Sequence, residues 1–179
     1  MALEEVIGAF HRLELHFDGA LGLQLVCELL HGAGRADADL VRRIIPEKWY
    51  EEIPPKSLDR NDFPIHHIEH LSPADGAATL TALTAHAVGR AREHLPQAPL
   101  QWLLAGGGRH NKSVVGALRE TLQVPVIPVD DLGWRGDPLE AEIFAFLAVR
   151  SRLGLPLSLP TTTGAEAPVS GGQYWPAKT

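Results

Sequence analysis

The chain has 179 residues, 45% of them hydrophobic and 21% charged, a balance that suits a globular domain and excludes wholesale disorder. Its formal net charge of −6 offers no basic footprint for nucleic acid. A single cysteine, Cys27, excludes an intrachain disulfide and points to a reducing compartment.

The opening "MALEEVIGAFHRLELHF" carries acidic residues early and has no unbroken apolar core, so it does not read as a secretory signal. No stretch approaches the roughly 18 apolar residues that span a bilayer. A cytoplasmic protein with no membrane partner is the expectation. The first third reads as helical. Leu21, Leu25 and Leu29, with Val26 and Leu30, recur at helical spacing, and Cys27 among them reads as a small core residue rather than a nucleophile. A second helix is expected after an N-cap at Asp37 or Asp39, bent or ended by Pro46. "PPKSLDRNDFP" is a loop, because its three prolines resist regular structure. "SPADGAATLTALTAHAVGRAREHL" is the clearest helix, capped by Ser72 or Asp75, with Leu80, Leu83, Ala87, Val88 and Ala91 on one face.

"PLQWLLAGGG" follows as a buried strand that runs into a glycine turn. "NKSVVGALRETL" is a helix with Val114, Val115, Leu118 and Leu122 inward, and "VPVIPVD" is a second strand. Pro125 and Pro128 place that strand at an edge or confine the prolines to its ends. "DPLEAEIFAFLAVRSRLGL" is the last long helix, and an irregular tail closes the chain. The alternation predicts an α/β fold with short parallel strands. Two strands make no stable sheet by themselves, and a parallel sheet needs both faces covered. The expectation is therefore part of a larger sheet.

Three stretches carry candidate chemistry. Gly106, Gly107 and Gly108 end a strand, where open α/β sheets bind ligands, and Asn111 can cap the next helix or reach a ligand. The pattern is neither G-x-G-x-x-G nor a phosphate-binding G-x-x-x-x-G-K-[ST] loop, so a plain tight turn and a nucleotide site both stand. In "GDPLEAEIF", Asp137 reads as an N-cap, Pro138 as N1 and Glu140 as the N3 partner of a capping box. Glu140 also reads as a carboxylate at a helix start, placed to accept from substrate hydroxyls. "HHIEH" matches H-x-x-E-H through His66, Glu69 and His70, a zinc-protein motif. Pro64 and Pro73 leave room for barely two turns there, and no third ligand is evident. A solvated short helix is the preferred reading and zinc the rival.

Five blocks in order and spacing resemble the anhydro-N-acetylmuramic acid kinase family: "PPKSLDRNDF", "DGAATLTALTAHAV", "LLAGGGRHNKSVVGAL", "GWRGDPLEAEIFAFLAVRSRLGLPLSLPTTTGA" and the later "SGG". The resemblance implies the C-terminal lobe of an actin-like, ribonuclease H-like ATPase fold, helix-rich and with an incomplete sheet in this chain. It implies an enzyme that uses ATP and Mg²⁺ to convert 1,6-anhydro-N-acetylmuramic acid to N-acetylmuramic acid 6-phosphate in peptidoglycan recycling. Gly106, Gly107, Gly108 and Asn111 would lie against ATP, and Glu140 at the sugar. No residue of this chain is implied as a metal ligand. The family's P-K-S element matches Lys56 and Ser57, from which no chemical role follows.

Residues 1–17 match nothing in the family. Residues 18–179 would form the partial lobe, with the adenosine turn at 103–118, the sugar-site helix at 137–153 and the irregular tail at 154–179. The family's early G-T-S-x-D-G-type turn, its D-x-G-rich hairpin and its catalytic aspartate have no counterpart in the chain. The expectation is a piece of such a kinase, inactive by itself. The alternatives are a non-catalytic remnant that binds nucleotide or pairs with a second copy through an open sheet edge, and a zinc protein built on His66 and His70. Trp134, in the loop before the last helix, lines a cleft or closes a core edge.

Overall fold

The structure is a computed structural model that describes residues 33–56 and 65–176. Ser57 and the leucine-rich segment around Cys27 lie outside the described residues. The expected second helix is divided in two. Helix α1 (Ala38–Arg43) starts at Asp37, whose side chain accepts from the N–H groups of Asp39 and Leu40, each at 2.9 Å. Pro46 separates it from α2 (Glu47–Glu51), as expected of a residue that lacks an N–H.

Helix α3 (Pro73–Arg90) is the longest described element. Ser72 caps it by accepting from the Asp75 N–H at 3.1 Å, and its hydroxyl donates to the Asp75 carboxylate at 2.7 Å. The buried positions of α3 are largely small: Gly76, Ala78, Thr79, Leu83, Ala85 and Gly89. Leu80 and Ala91 are exposed, which corrects the expected apolar face. Small side chains let the neighbouring helices approach closely on two sides, so the larger Leu80 is left outside.

A strand–helix–strand unit follows. Strand β1 (Trp102–Leu104) pairs in parallel with β2 (Val126–Pro128), Trp102 opposite Val126 and Leu104 opposite Pro128. Pro128 closes β2, where its missing N–H breaks no ladder. Between the strands, α4 (Lys112–Leu122) buries Val115, Leu118 and Leu122, with Val114 packed alongside. Helix α5 (Leu139–Arg152) and the short α6 (Pro160–Thr163) complete the described helices. The tail is mostly irregular, apart from α6 and one antiparallel bridge between Ser158 and Val169.

The core has two parts joined by α3. Leu40, Val41, Ile44, Ile45, Tyr50, Ile68 and Leu83 form one. Ala85, Leu118, Leu122 and Val126 form the other, flanked by Trp102 and Leu104. Burying each aliphatic side chain contributes about 1.5–3 kcal/mol. Arg90 fastens α2 to α3: its guanidinium donates to Glu47 at 2.6 and 2.9 Å, and its Cζ lies 4.6 Å from the Tyr50 ring centroid.

Candidate functional site

The glycine turn lies at the carboxyl end of β1, as its sequence implied. Gly106 has φ +76° and ψ 176°, a region essentially restricted to glycine. Residues Gly107–His110 then make a single 3₁₀ turn into α4. Gly107 and Gly108 do not share the positive φ. A Cβ added at either would meet no heavy atom within 4 Å. Neither backbone conformation nor packing within the described fold requires glycine there. Asn111 is the N-cap of α4, its Oδ1 accepting from the Val114 N–H at 3.1 Å. Its oxygen is thus committed to the helix, which leaves the side-chain amide as the group that could face a ligand.

The acidic start of α5 differs from expectation. The helix begins at Leu139, with Pro138 at the cap position and no side-chain cap. Asp137 caps nothing, and Glu140 completes no capping box. The Asp137 carboxylate is drawn away by Arg109, which donates from Nη2 at 2.6 Å, and His110 Nε2 lies 3.1 Å from the same oxygen. A full guanidinium charge outcompetes two uncharged backbone N–H groups. Glu140 is exposed in the first turn of α5, at the positive end of the helix dipole.

Arg109 joins these parts, and sequence reasoning missed it. Its side chain is 2% exposed. Nε donates to Asp130 Oδ2 at 2.5 Å, Nη1 to the Gly106 carbonyl at 3.0 Å, and Nη2 to Asp137. Asp130 belongs to the turn Val129–Leu132 that follows β2. The Arg109 guanidinium holds both the Asp130 and Asp137 carboxyls below the usual carboxylate range, and His110 adds to the effect at Asp137. The two carboxylates in turn raise Arg109. Gly136 lies flat on this cluster: a Cβ there would come within 2.6 Å of Arg109 Cζ and 2.7 Å of Asp130 Oδ2. The sequence signals were an arginine inside a glycine turn and the acidic pair Asp130–Asp131. Neither indicates a partner before the strands are paired.

Lys56 has a structural role. Its ammonium donates to the carbonyls of Trp49 and Tyr50 at 2.7 and 2.6 Å and stands 4.6 Å from the Trp49 ring centroid. It thereby satisfies carbonyls at the end of α2 that lack helical partners. At the histidine cluster, Ile65–Ile68 is a 3₁₀ turn. That turn ends at Ile68, so the backbone from His66 to His70 does not form one α-helix. Among the described residues no group of three or more His, Cys, Asp or Glu is placed to hold a metal. No described helix is long and apolar enough to cross a membrane. Trp134 is 53% exposed in the loop before α5.

Together these features define a helix-rich α/β unit, a parallel strand–helix–strand with a glycine turn at the carboxyl end of its first strand and an acidic helix start tied to that turn. A sequence profile of the family "Anhydro-N-acetylmuramic acid kinase" matches residues 29–177. The chain belongs to the anhydro-N-acetylmuramic acid kinase family. It is 50% identical over 147 residues to the anhydro-N-acetylmuramic acid kinase of Rhodospirillum rubrum, covering 82% of this chain and 39% of that one. The Acidiphilium cryptum kinase is also 50% identical over 147 residues, covering 80% and 40%. The Rhizobium rhizogenes kinase is 44% identical over 160 residues, covering 89% and 41%. The chain thus spans about two fifths of the length of the curated relatives it matches.

Proposed function

We propose that this chain supplies the adenosine wall and one sugar contact of an ATP-dependent 1,6-anhydro-N-acetylmuramic acid kinase of the actin-like, ribonuclease H-like class. In that reaction ATP phosphorylates the sugar at O6 and water opens the anhydro bond. The products are ADP and N-acetylmuramic acid 6-phosphate, in cytoplasmic peptidoglycan recycling. Gly106, Gly107, Gly108 and Asn111 lie against the nucleotide, and Glu140 accepts from the sugar.

One observation carries the nucleotide reading. Gly107 and Gly108 are glycines that the described fold does not need, with open space where a side chain would stand. Glycine at such a place permits close approach of a ligand to the backbone. The position at the carboxyl end of β1 agrees with where α/β sheets bind ligands, and membership of the family supplies the substrate class.

The chemistry requires a carboxylate to activate water at the anomeric carbon and neutralisation of the transferring phosphoryl charge. Asp130 and Asp137 are poorly suited to act as that base, because the Arg109 guanidinium engages both carboxylates and holds them below the usual carboxylate range. The 179-residue chain alone is accordingly proposed to bind nucleotide without turning over the sugar.

Titration calorimetry with ADP tests this. Gly107→Val and Gly108→Val are expected to weaken ADP binding about tenfold or more, the scale on which 1.4 kcal/mol acts, and to leave the melting temperature within about 2 °C. Equal ADP affinity in wild type and both variants would remove the assignment. Sugar-dependent ADP release by the chain alone, in a coupled assay, would overturn the proposed inactivity.

A further inference from the structure

We infer that Arg109 is a positioning residue that fixes the glycine turn and the start of α5 relative to one another, so that the two halves of the proposed site hold their places together. Its functional meaning rests on the nucleotide and sugar reading above. Its structural basis does not.

One guanidinium reaches three separate segments: the Gly106 carbonyl in the turn after β1, Asp130 in the turn after β2, and Asp137 two residues before α5. A planar fork with five N–H donors suits this task, since each edge of the plane can serve a different acceptor. Burial makes the arrangement stringent, because a guanidinium 2% exposed must have its donors paired. The carboxylates are 47% and 77% exposed, so they remain hydrated while neutralising it. Two carboxylates already surround the single cation. Arg109 is thus not available to grip phosphate, and its effect on a ligand acts through the segments it holds. The Gly106 carbonyl belongs to the residue with the glycine-only conformation, so the bond to Nη1 sets the peptide plane where the turn begins. Gly136 completes the device by leaving room for the guanidinium.

The test compares Arg109→Met, Arg109→Lys, Asp137→Asn and the double variant Arg109→Met/Asp137→Asn by amide hydrogen exchange without ligand and by ADP titration. Asp137→Asn changes a largely exposed side chain and keeps the experiment decisive if Arg109 variants fail to fold. Arg109→Met is expected to speed exchange about tenfold at Arg109 and Asn111 in the turn and at Glu142 in α5, while α3 is unchanged. Asp137→Asn is expected to speed exchange in the turn as well, although Asp137 belongs to the other segment. The double variant is expected to be no worse than Arg109→Met, because both break one connection. Arg109→Lys is expected not to rescue, since an ammonium lacks the fork. ADP affinity is expected to fall about tenfold in the same variants. Effects confined to the turn, effects spread over the whole chain, or additive effects in the double variant would each overturn the coupling. If wild type binds no ADP, the nucleotide reading fails while the exchange pattern still decides the role of Arg109.

Discussion

At the scale of single residues, one buried hydroxyl joins two helices. Thr79 is fully buried. Its hydroxyl donates to the Asp75 carbonyl at 2.7 Å and accepts from the Asp37 N–H at 3.0 Å. One oxygen thus fastens the start of α1 onto the first turns of α3. Thr79→Val keeps the shape and orphans the Asp37 N–H. It is expected to lower stability by about 1–3 kcal/mol, read as a shifted urea midpoint with an unchanged slope. The periodicity of 73–90 announced the helix but not this role, because an inward threonine and an outward one look alike in sequence. Lys56 is similar: it lies within the first of the resembling blocks, yet its use as a cap on α2 depends on how residues 49–56 fold back.

At the scale of elements, charge decides how the turns meet. The Arg109 guanidinium depresses both Asp130 and Asp137. Their folded-state affinities for protons are below those of the unfolded chain, where an aspartate titrates near 3.9. The unfolded state therefore binds more protons in that window, and stability rises with pH there. The contribution is complete above about pH 4 and is lost as pH falls through the lower folded-state values. Melting temperature is expected to drop below about pH 4, and Asp137→Asn is expected to flatten that drop. An identical acid limb in the variant would show that the pair does not contribute. The sequence narrowed two caps to pairs, Asp37 or Asp39 and Ser72 or Asp75, and offered Asn111 as a cap or a ligand contact, because capping needs only local geometry; the fold uses Asp37, Ser72 and Asn111. The cap expected at Asp137 was not realised, because Arg109, 28 positions earlier, offers that carboxylate a stronger partner.

At the scale of the whole molecule, α5 stands apart. None of its residues is buried, and Phe144, Phe146 and Val149 are 63%, 60% and 58% exposed. A helix apolar around most of its circumference belongs in an interior, and contiguous exposed apolar surface drives association. The 179-residue chain is expected to self-associate in light scattering, and Phe144→Asp with Phe146→Asp to shift it toward monomer. A clean wild-type monomer at tens of micromolar would count against association through α5. The small parallel sheet points the same way, since two strands of three residues are short of what an independent sheet needs.

The sequence by itself determined the alternation of helix and strand, the inward face of α4, the glycine turn and the family, because each depends on neighbours a few positions apart or on motifs in fixed order. Only the tertiary structure decided that α3 serves two cores with its small residues, that Asp137 leaves its helix, and that Arg109 gathers three segments around itself. Those outcomes are set by competition among partners far apart in the chain. A buried guanidinium takes the carboxylates that fold brings within reach.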